Sequence, residues 1–325
     1  MPERDCMSVA TLIPAFKPHF VLQLLRGLAQ QTVRPDRVII SDDSPGGVFR
    51  LALQAPKLKA LVDALQPEVI EGPRKGGVEN RRQLLRHWNK STTHVHFLFD
   101  DDIIYPTFYE RHLKAHATGR TRCTVSRRWI AHQDGDPVLQ TPVPPGLEKD
   151  LARLVFLPSM FLFRTVFSPL GSGEVPSNWL GELSHAVFSS ECGESLMAGQ
   201  LAGIPYRGLS DLGAFLACSL DVPLGYLNEN LGVFRLSPIQ NSSQKDSLIF
   251  RQGILAWLAL AIAARRLDRL DDAQMQVCFR VIANVFLSAH GNRPDSRTMV
   301  LAIKGLIEES PGAQDRFLTE WASYG

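Results

Sequence analysis

The run Phe97-Leu98-Phe99-Asp100-Asp101-Asp102-Ile103 sets three carboxylates at the end of an apolar segment, Thr92 to Phe99, rich in β-branched and aromatic residues. Carboxylates are rarely buried unless they are paired or bound to a cation. Three in succession at a strand's carboxyl end therefore point to a hard divalent metal with oxygen ligands and a bound phosphate, the alternative being a solvated acidic turn. In an extended segment Asp100 and Asp102 face one side and Asp101 the other. His94 and His96 share a strand face but precede the acids, and they read as ordinary sheet residues. His112 and His116 have the i, i+4 spacing of a helical pair, lack neighbouring ligands, and read as surface residues.

Neither common glycine-rich phosphate loop is present. There is no G-x-x-x-x-G-K-[ST], and the first strand–helix turn is Pro14-Ala15-Phe16-Lys17-Pro18, where a dinucleotide site has glycines. Metal rather than backbone amides must then do most of any phosphate binding, which disfavours dehydrogenases and P-loop enzymes.

The elements that position these residues alternate. Ser8 to Ile13 reads as a strand stopped by Pro14, Pro18 to Gln31 as a helix, and Val38 to Ser41 as a strand closed by the turn Asp42-Asp43-Ser44-Pro45-Gly46-Gly47. Phe49 to Leu65 reads as one helix, Glu68 to Ile70 as a strand, and Gly76-Gly77 opens a helix to about Trp88. This alternation predicts an α/β fold, a mostly parallel sheet with helices on both faces and ligands at the carboxyl ends of the strands. Gly135 to Gly146 reads as a loop, Phe156 to Phe163 as a strand, Ser168 to Asn178 as a mobile or substrate-shaping stretch, Gly213 to Ser219 as a helix and Leu224 to Phe234 as strand and turn. After Lys245 the pattern is helical.

The chain of 325 residues has a formal net charge of +2, too small to argue for nucleic acid. Its five cysteines are dispersed without metal-type pairing and read as small core residues of a reducing, cytoplasmic compartment. No signal-peptide core precedes Met7. Ile254 to Ala264 is too short to span a bilayer comfortably and reads as a core helix, with peripheral contact at the inner membrane face left open.

In this order the motifs resemble those of the family 2 glycosyltransferases of GT-A fold. Val9 to Phe16 is similar to that family's opening strand and turn. Leu24 to Thr32 resembles its "S-L-x-x-Q-T", Val38 to Ser44 its "I-I-V-V-D-D-G/S-S", Gly77 to Arg82 its "G-x-x-x-A-R-N", and Phe97 to Asp102 its D-x-D strand end. More weakly, Pro158 to Arg164 resembles the strand beside the acceptor site, Ser210 to Phe215 the segment carrying the catalytic base, and Gly225 to Arg235 the "Y-I-P-E-x-L-x-x-Y-R" stretch.

The resemblance implies a GT-A domain over 1–244, with a nucleotide-sugar half at 1–105 and an acceptor half at 106–244, followed by a helical region at 245–325. It implies Mg²⁺ or Mn²⁺ held by Asp100 and Asp102, with Asp102 the direct ligand and Asp101 beside the donor. Asp43 would accept from the base ring, Arg81 would contact the base, and Pro14 and Phe16 would pack along the nucleoside. Arg235 would stand near the diphosphate and Asp211 would be the base, with Glu191 and Glu194 in reserve. The activity implied is inverting transfer from a nucleoside-diphosphate sugar to a glycan or lipid-linked acceptor, in surface polysaccharide or glycoconjugate synthesis. Two departures stand out: Ser237 replaces a histidine, with Arg235 or Gln240 to Ser243 as substitutes, and Ser210 replaces a glutamate. They keep open a catalytically degenerate nucleotide-sugar or glycan binding protein. A sugar-nucleotide pyrophosphorylase would need a glycine-rich, arginine-containing loop after the first strand, which is absent.

Overall fold

The computed structural model describes residues 7–148, 153–168, 176–236 and 244–324. Cys6, Ser237, Gln240 to Ser243 and most of the Ser168 to Asn178 stretch lie outside them.

The first half follows the predicted alternation: β1 (Val9–Ala15), α1 (Val21–Ala29), β2 (Arg37–Asp42), α2 (Val48–Leu53), α3 (Lys59–Leu65), β3 (Glu68–Glu71), α4 (Gly77–Trp88) and β4 (His94–Phe97). Strand β1 runs through Pro14 rather than stopping there. Pairing with β4 ends at Leu12↔Phe97, so only β2 flanks Pro14, opposite Ser41. The single helix expected over Phe49 to Leu65 is two, because Pro56 interrupts it.

Beyond β4 the chain forms β5 (Ile103–Ile104), α5 (Phe108–His116), β6 (Cys123–Ala131), β7 (Pro137–Gln140), α6 (Pro145–Glu148), β8 (Leu154–Leu157), α7 (Ser159–Val166) and β9 (Ala186–Ser189). Then follow α8 (Gly193–Ala198), β10 (Gln200–Leu201), β11 (Ile204–Pro205), α9 (Ser210–Cys218) and β12 (Leu224–Arg235). Two expectations are corrected here. The Gly135 to Gly146 loop contains β7 and the start of α6. The strand expected over Phe156 to Phe163 is the end of β8 and then α7; the strand that lies beside β4 is β9. Pro158 caps a helix whose apolar residues Leu162, Phe163 and Val166 recur at helical spacing.

The main sheet runs β3-β2-β1-β4-β9-β6-β12-β5, with β7 on β6 and β8 on β12. Pairing is parallel from β3 to β4 and antiparallel on both sides of β9. Alternation along β1 feeds two cores: Ala10 and Leu12 pack in one, Val9 and Ile13 in the other with α1 and α5. The region after 245 forms α10 (Leu248–Arg266), α11 (Asp272–His290), α12 (Arg297–Ile307) and α13 (Ala313–Ser323). Ser247 caps α10 by accepting from Phe250 N at 3.1 Å. By length and composition α10 is apolar enough to cross a membrane, yet Leu255 to Ala264 are all buried in the first core, as expected of a core helix. Cys123, Cys192, Cys218 and Cys278 are free and buried, as predicted.

Leu258 is wholly enclosed on α10, so Leu258→Ala is expected to lose about 2–5 kcal/mol in urea denaturation. A loss below about 1 kcal/mol would mean that α10 is not part of the core.

Candidate functional site

The acidic run sits at the carboxyl end of β4, but it turns rather than extends: Asp102 N donates to Phe99 O at 3.2 Å. The expected same-side pairing of Asp100 and Asp102 is therefore not what forms. Asp100 Oδ2 accepts from the backbone N–H groups of Phe16 and Lys17, both at 2.6 Å, and so fixes the β1–α1 loop. Asp101 lies 3.6 Å from Lys17 Nζ, an ion pair that sequence reasoning missed, although Lys17 occupies the expected loop. Asp102 Oδ1 accepts from Arg235 N at 3.3 Å, Ser184 Oγ stands near the carboxylate, and Oδ2 is buried without hydrogen-bond geometry to any described residue. Burial, reinforced by Asp101, pushes Asp100 up to about 7, and the same two causes raise Asp102.

These donors fit a divalent cation in a limited way. Among the described residues no three His, Cys, Asp or Glu side chains converge into a metal-ligating group, so a cation would draw on Asp102 and on ligand phosphate oxygens. Asp100 spends one oxygen on backbone amides and is placed as a loop anchor.

Arg235 is fully buried. Its Nε donates to Asp101 O at 2.8 Å, Nη2 to Gln23 Oε1 at 2.7 Å and Nη1 to Gln133 O, and its guanidinium lies 3.9 Å from the Phe20 ring centre. The expectation that it reaches the diphosphate is corrected by this geometry: it supports the acidic loop from beneath.

The nucleoside-side residues gather at the ends of β1 and β2. Phe16 is 51% exposed, which makes it a surface available for stacking, not a core residue. Pro14 lies within β1. Asp43 is buried; its N–H donates to Ala15 O at 2.9 Å, and its Oδ1 accepts from Arg74 N. Gly72 is required beside it, since a Cβ there would stand 2.6 Å from Asp43 Cα. The adjacent Asp42 instead ties the following turn, accepting from Ser44 N at 3.0 Å and Arg50 N at 2.9 Å.

Asp211 lies in the first turn of α9, whose cap is Leu209, so it is not the helix N-cap. Burial pushes its carboxyl up to about 6, with Arg81 opposing and Glu182 adding to the rise, and Leu183 N donates to it. Arg81 reaches toward Asp211 from α4; burial lowers its pKa while Asp211 holds it up. Glu191 and Glu194, the reserves, are exposed and paired with Arg122 at 2.6 Å and Lys90 at 3.1 Å.

The carboxylate that does adjoin the site is Glu182, which sequence reasoning missed. It acts electrostatically on both Asp102 and Asp211 and pairs with buried Arg128 at 2.5 Å. Gly181, at φ 100°, lets the chain pass over that guanidinium, where a Cβ would collide. The Gly181-Glu182 turn before an apolar strand was the available signal.

His112 and His116 are buried, contrary to the surface reading. Helix α5 packs that face onto β6 and β9, where His112 Nδ1 meets Thr124 Oγ1 at 2.7 Å and His116 Nε2 meets Val187 O at 3.1 Å. His94 and His96 are sheet residues, as expected. His96 bridges Tyr109 Oη at 2.9 Å and Ser184 O at 3.0 Å.

This is a GT-A-like glycosyltransferase fold: a mostly parallel sheet between helices, an acidic loop at its switch point, and appended helices. Among solved structures the chain is similar to Staphylococcus aureus TarS, with a TM-score of 0.57 and 13% identity over 98% of this chain and 53% of that one. It thus spans about half the length of that TarS chain. TarS 1–349 in complex with UDP matches at 0.56 and 13% identity over 98% and 88%, and in complex with UDP-GlcNAc at 0.55 and 12% identity over 98% and 91%. No protein-family model and no curated protein matches the chain.

Arg235→Met keeps the bulk but removes the donors. The acidic loop is expected to gain proteolytic cleavage near Asp100 to Ile104 and the melting temperature to fall; unchanged digestion would show that the loop holds itself.

Proposed function

We propose that the chain is an inverting glycosyltransferase of the family 2 type, moving a sugar from a nucleoside-diphosphate donor, a uridine one, to an acceptor hydroxyl. The observation that carries the reading is a clamped acidic loop at the end of β4 and a buried carboxylate on α9 that share Glu182 as an electrostatic neighbour. Similarity to structures holding UDP and UDP-GlcNAc supports the choice of donor.

In this reading Phe16 packs on the base, Asp43 accepts from its ring through the oxygen that Arg74 N leaves open, and Lys17 adds positive charge beside the diphosphate. Asp102 would hold Mg²⁺ or Mn²⁺, which when bound would supply charge where the diphosphate leaves. Asp211 takes the acceptor's hydroxyl proton as its oxygen bonds to the anomeric carbon and the bond to the diphosphate oxygen breaks. Arg81 and Leu183 N hold Asp211 ionised against its burial. Ser210 in place of a second carboxylate favours the alternative of a binding protein without turnover, but Glu182 supplies a carboxylate next to Asp211.

UDP with Mn²⁺ is expected to raise the melting temperature, UDP with EDTA to do so much less, and Asp102→Asn to erase the difference. No shift with UDP, with or without metal, would sink the donor assignment. Asp211 must be ionised to accept a proton and its pKa is about 6. Turnover should therefore fall about tenfold per pH unit below that value and level off above it, while Asp211→Asn binds UDP without turnover. A flat profile from pH 5 to 8 would rule Asp211 out as the base.

A further inference from the structure

A cavity of about 440 Å³ opens between α4, the β10–β11 hairpin, the start of α9 and Gln252 of α10. Three arginines line it, Arg81, Arg82 and Arg207, and among the described residues no carboxylate does. Each arginine keeps capacity for a ligand. Arg81 makes no close ion pair among the described residues and feels Asp211 only electrostatically. Arg82 gives Nη1 to Glu79 at 2.6 Å and is 35% exposed. Arg207 gives Nη2 to the carbonyls of Trp321 and Ala322 at 2.6 and 2.7 Å, while its Nε is buried without a hydrogen bond among the described residues. Glu79 offsets Arg82 and Asp211 offsets Arg81, whereas the carbonyls on Arg207 satisfy hydrogen bonds without cancelling its charge, so the cavity keeps the charge of Arg207 in excess in partly desolvated surroundings.

The cavity adjoins Asp211, which the glycosyltransferase reading makes the acceptor side. Leu183 and Ser210, which line it, flank Asp211, whereas none of Phe16, Lys17, Asp43 or Asp100 to Asp102 does. The lining also mixes an aromatic ring, Tyr206, with Ser210 and Gln252, groups suited to a sugar's faces and hydroxyls. We infer that this cavity is a subsite for an anionic group, a phosphate or a carboxylate, carried by the acceptor sugar, with Arg82 and Arg207 gripping the anion in bidentate fashion. The inference rests on the glycosyltransferase reading and deepens it.

The test measures retention of three fluorescent polymers with one backbone: dextran, phosphorylated dextran and carboxymethyl dextran, with the full chain held in UDP and Mn²⁺. One or both charged polymers should bind about tenfold more tightly than dextran, and their ranking identifies phosphate or carboxylate as the anion. Arg82→Gln should remove most of that preference, Arg82→Lys should restore part of it, and Arg280→Gln, an exposed arginine of α11 outside the lining, should leave it intact. Arg82 decides the matter because Arg207 also ties the carbonyls after α13 and its loss risks the fold. Equal binding of all three polymers, or an Arg82→Gln protein that keeps the preference, would overturn the inference. The UDP-induced melting shift, read on the same proteins, separates the two readings: a shift without charge preference sinks this subsite alone, and a preference without a shift sinks the donor reading while the subsite stands.

Discussion

Arg235 carries a full charge into a place with no access to solvent, and the shape of the acidic loop depends on it. Its donors reach the carbonyls of Asp101 and Gln133 and the side chain of Gln23, so one guanidinium joins the end of β12, the β4–β5 loop, the β6–β7 turn and α1. An arginine suits this work because its planar fork presents several fixed donors and stays charged when buried. Its own positive charge also lowers the electrostatic cost of holding acids in succession above it; Asp102 and Asp101 in turn keep it protonated.

Carboxylates withdrawn from water are unstable as anions unless something compensates. The molecule compensates unequally. Asp42 accepts donors from the turn after β2 and is a structural residue. Asp100 receives two backbone N–H groups and still titrates near 7. Asp102 has a single backbone donor and an oxygen turned toward no described partner. Asp211 has Arg81 as a favourable charge and Glu182 as an unfavourable one. The acid whose needs are met least by the protein is the one whose needs a ligand would have to meet.

Much of this was legible from residue order. The strand–helix alternation, the turn after β2, α4 from its paired glycines and the helical tail followed from period and turn chemistry. What escaped was set by tertiary contacts. His112 and His116 read as surface residues because no local pattern shows that α5 lies against β6 and β9. Arg235 read as a ligand contact because its sequence neighbours do not include Gln23, 212 residues away. Antiparallel β9 escaped because its four residues carry no alternation, and the helix at Ser159 was mistaken for a strand because its aromatics suit either. Of the site, the acids were found by type; their division into anchor, ion-pair partner and free ligand was not, since it arises from the turn that Phe99 and Asp102 close.

The hydrogen bonds from Arg207 to Trp321 and Ala322 span 114 and 115 residues, and Trp321 Nε1 donates back to Pro205 O at 2.9 Å. The loop that leads into Asp211 is therefore held by residues synthesised 114 and 115 positions after Arg207. Until those residues arrive, a nascent chain can complete β1 to β4 but not the wall beside Asp211. The order of synthesis thus completes the surroundings of Asp211 after the strand ends that carry Asp43 and Asp100 to Asp102.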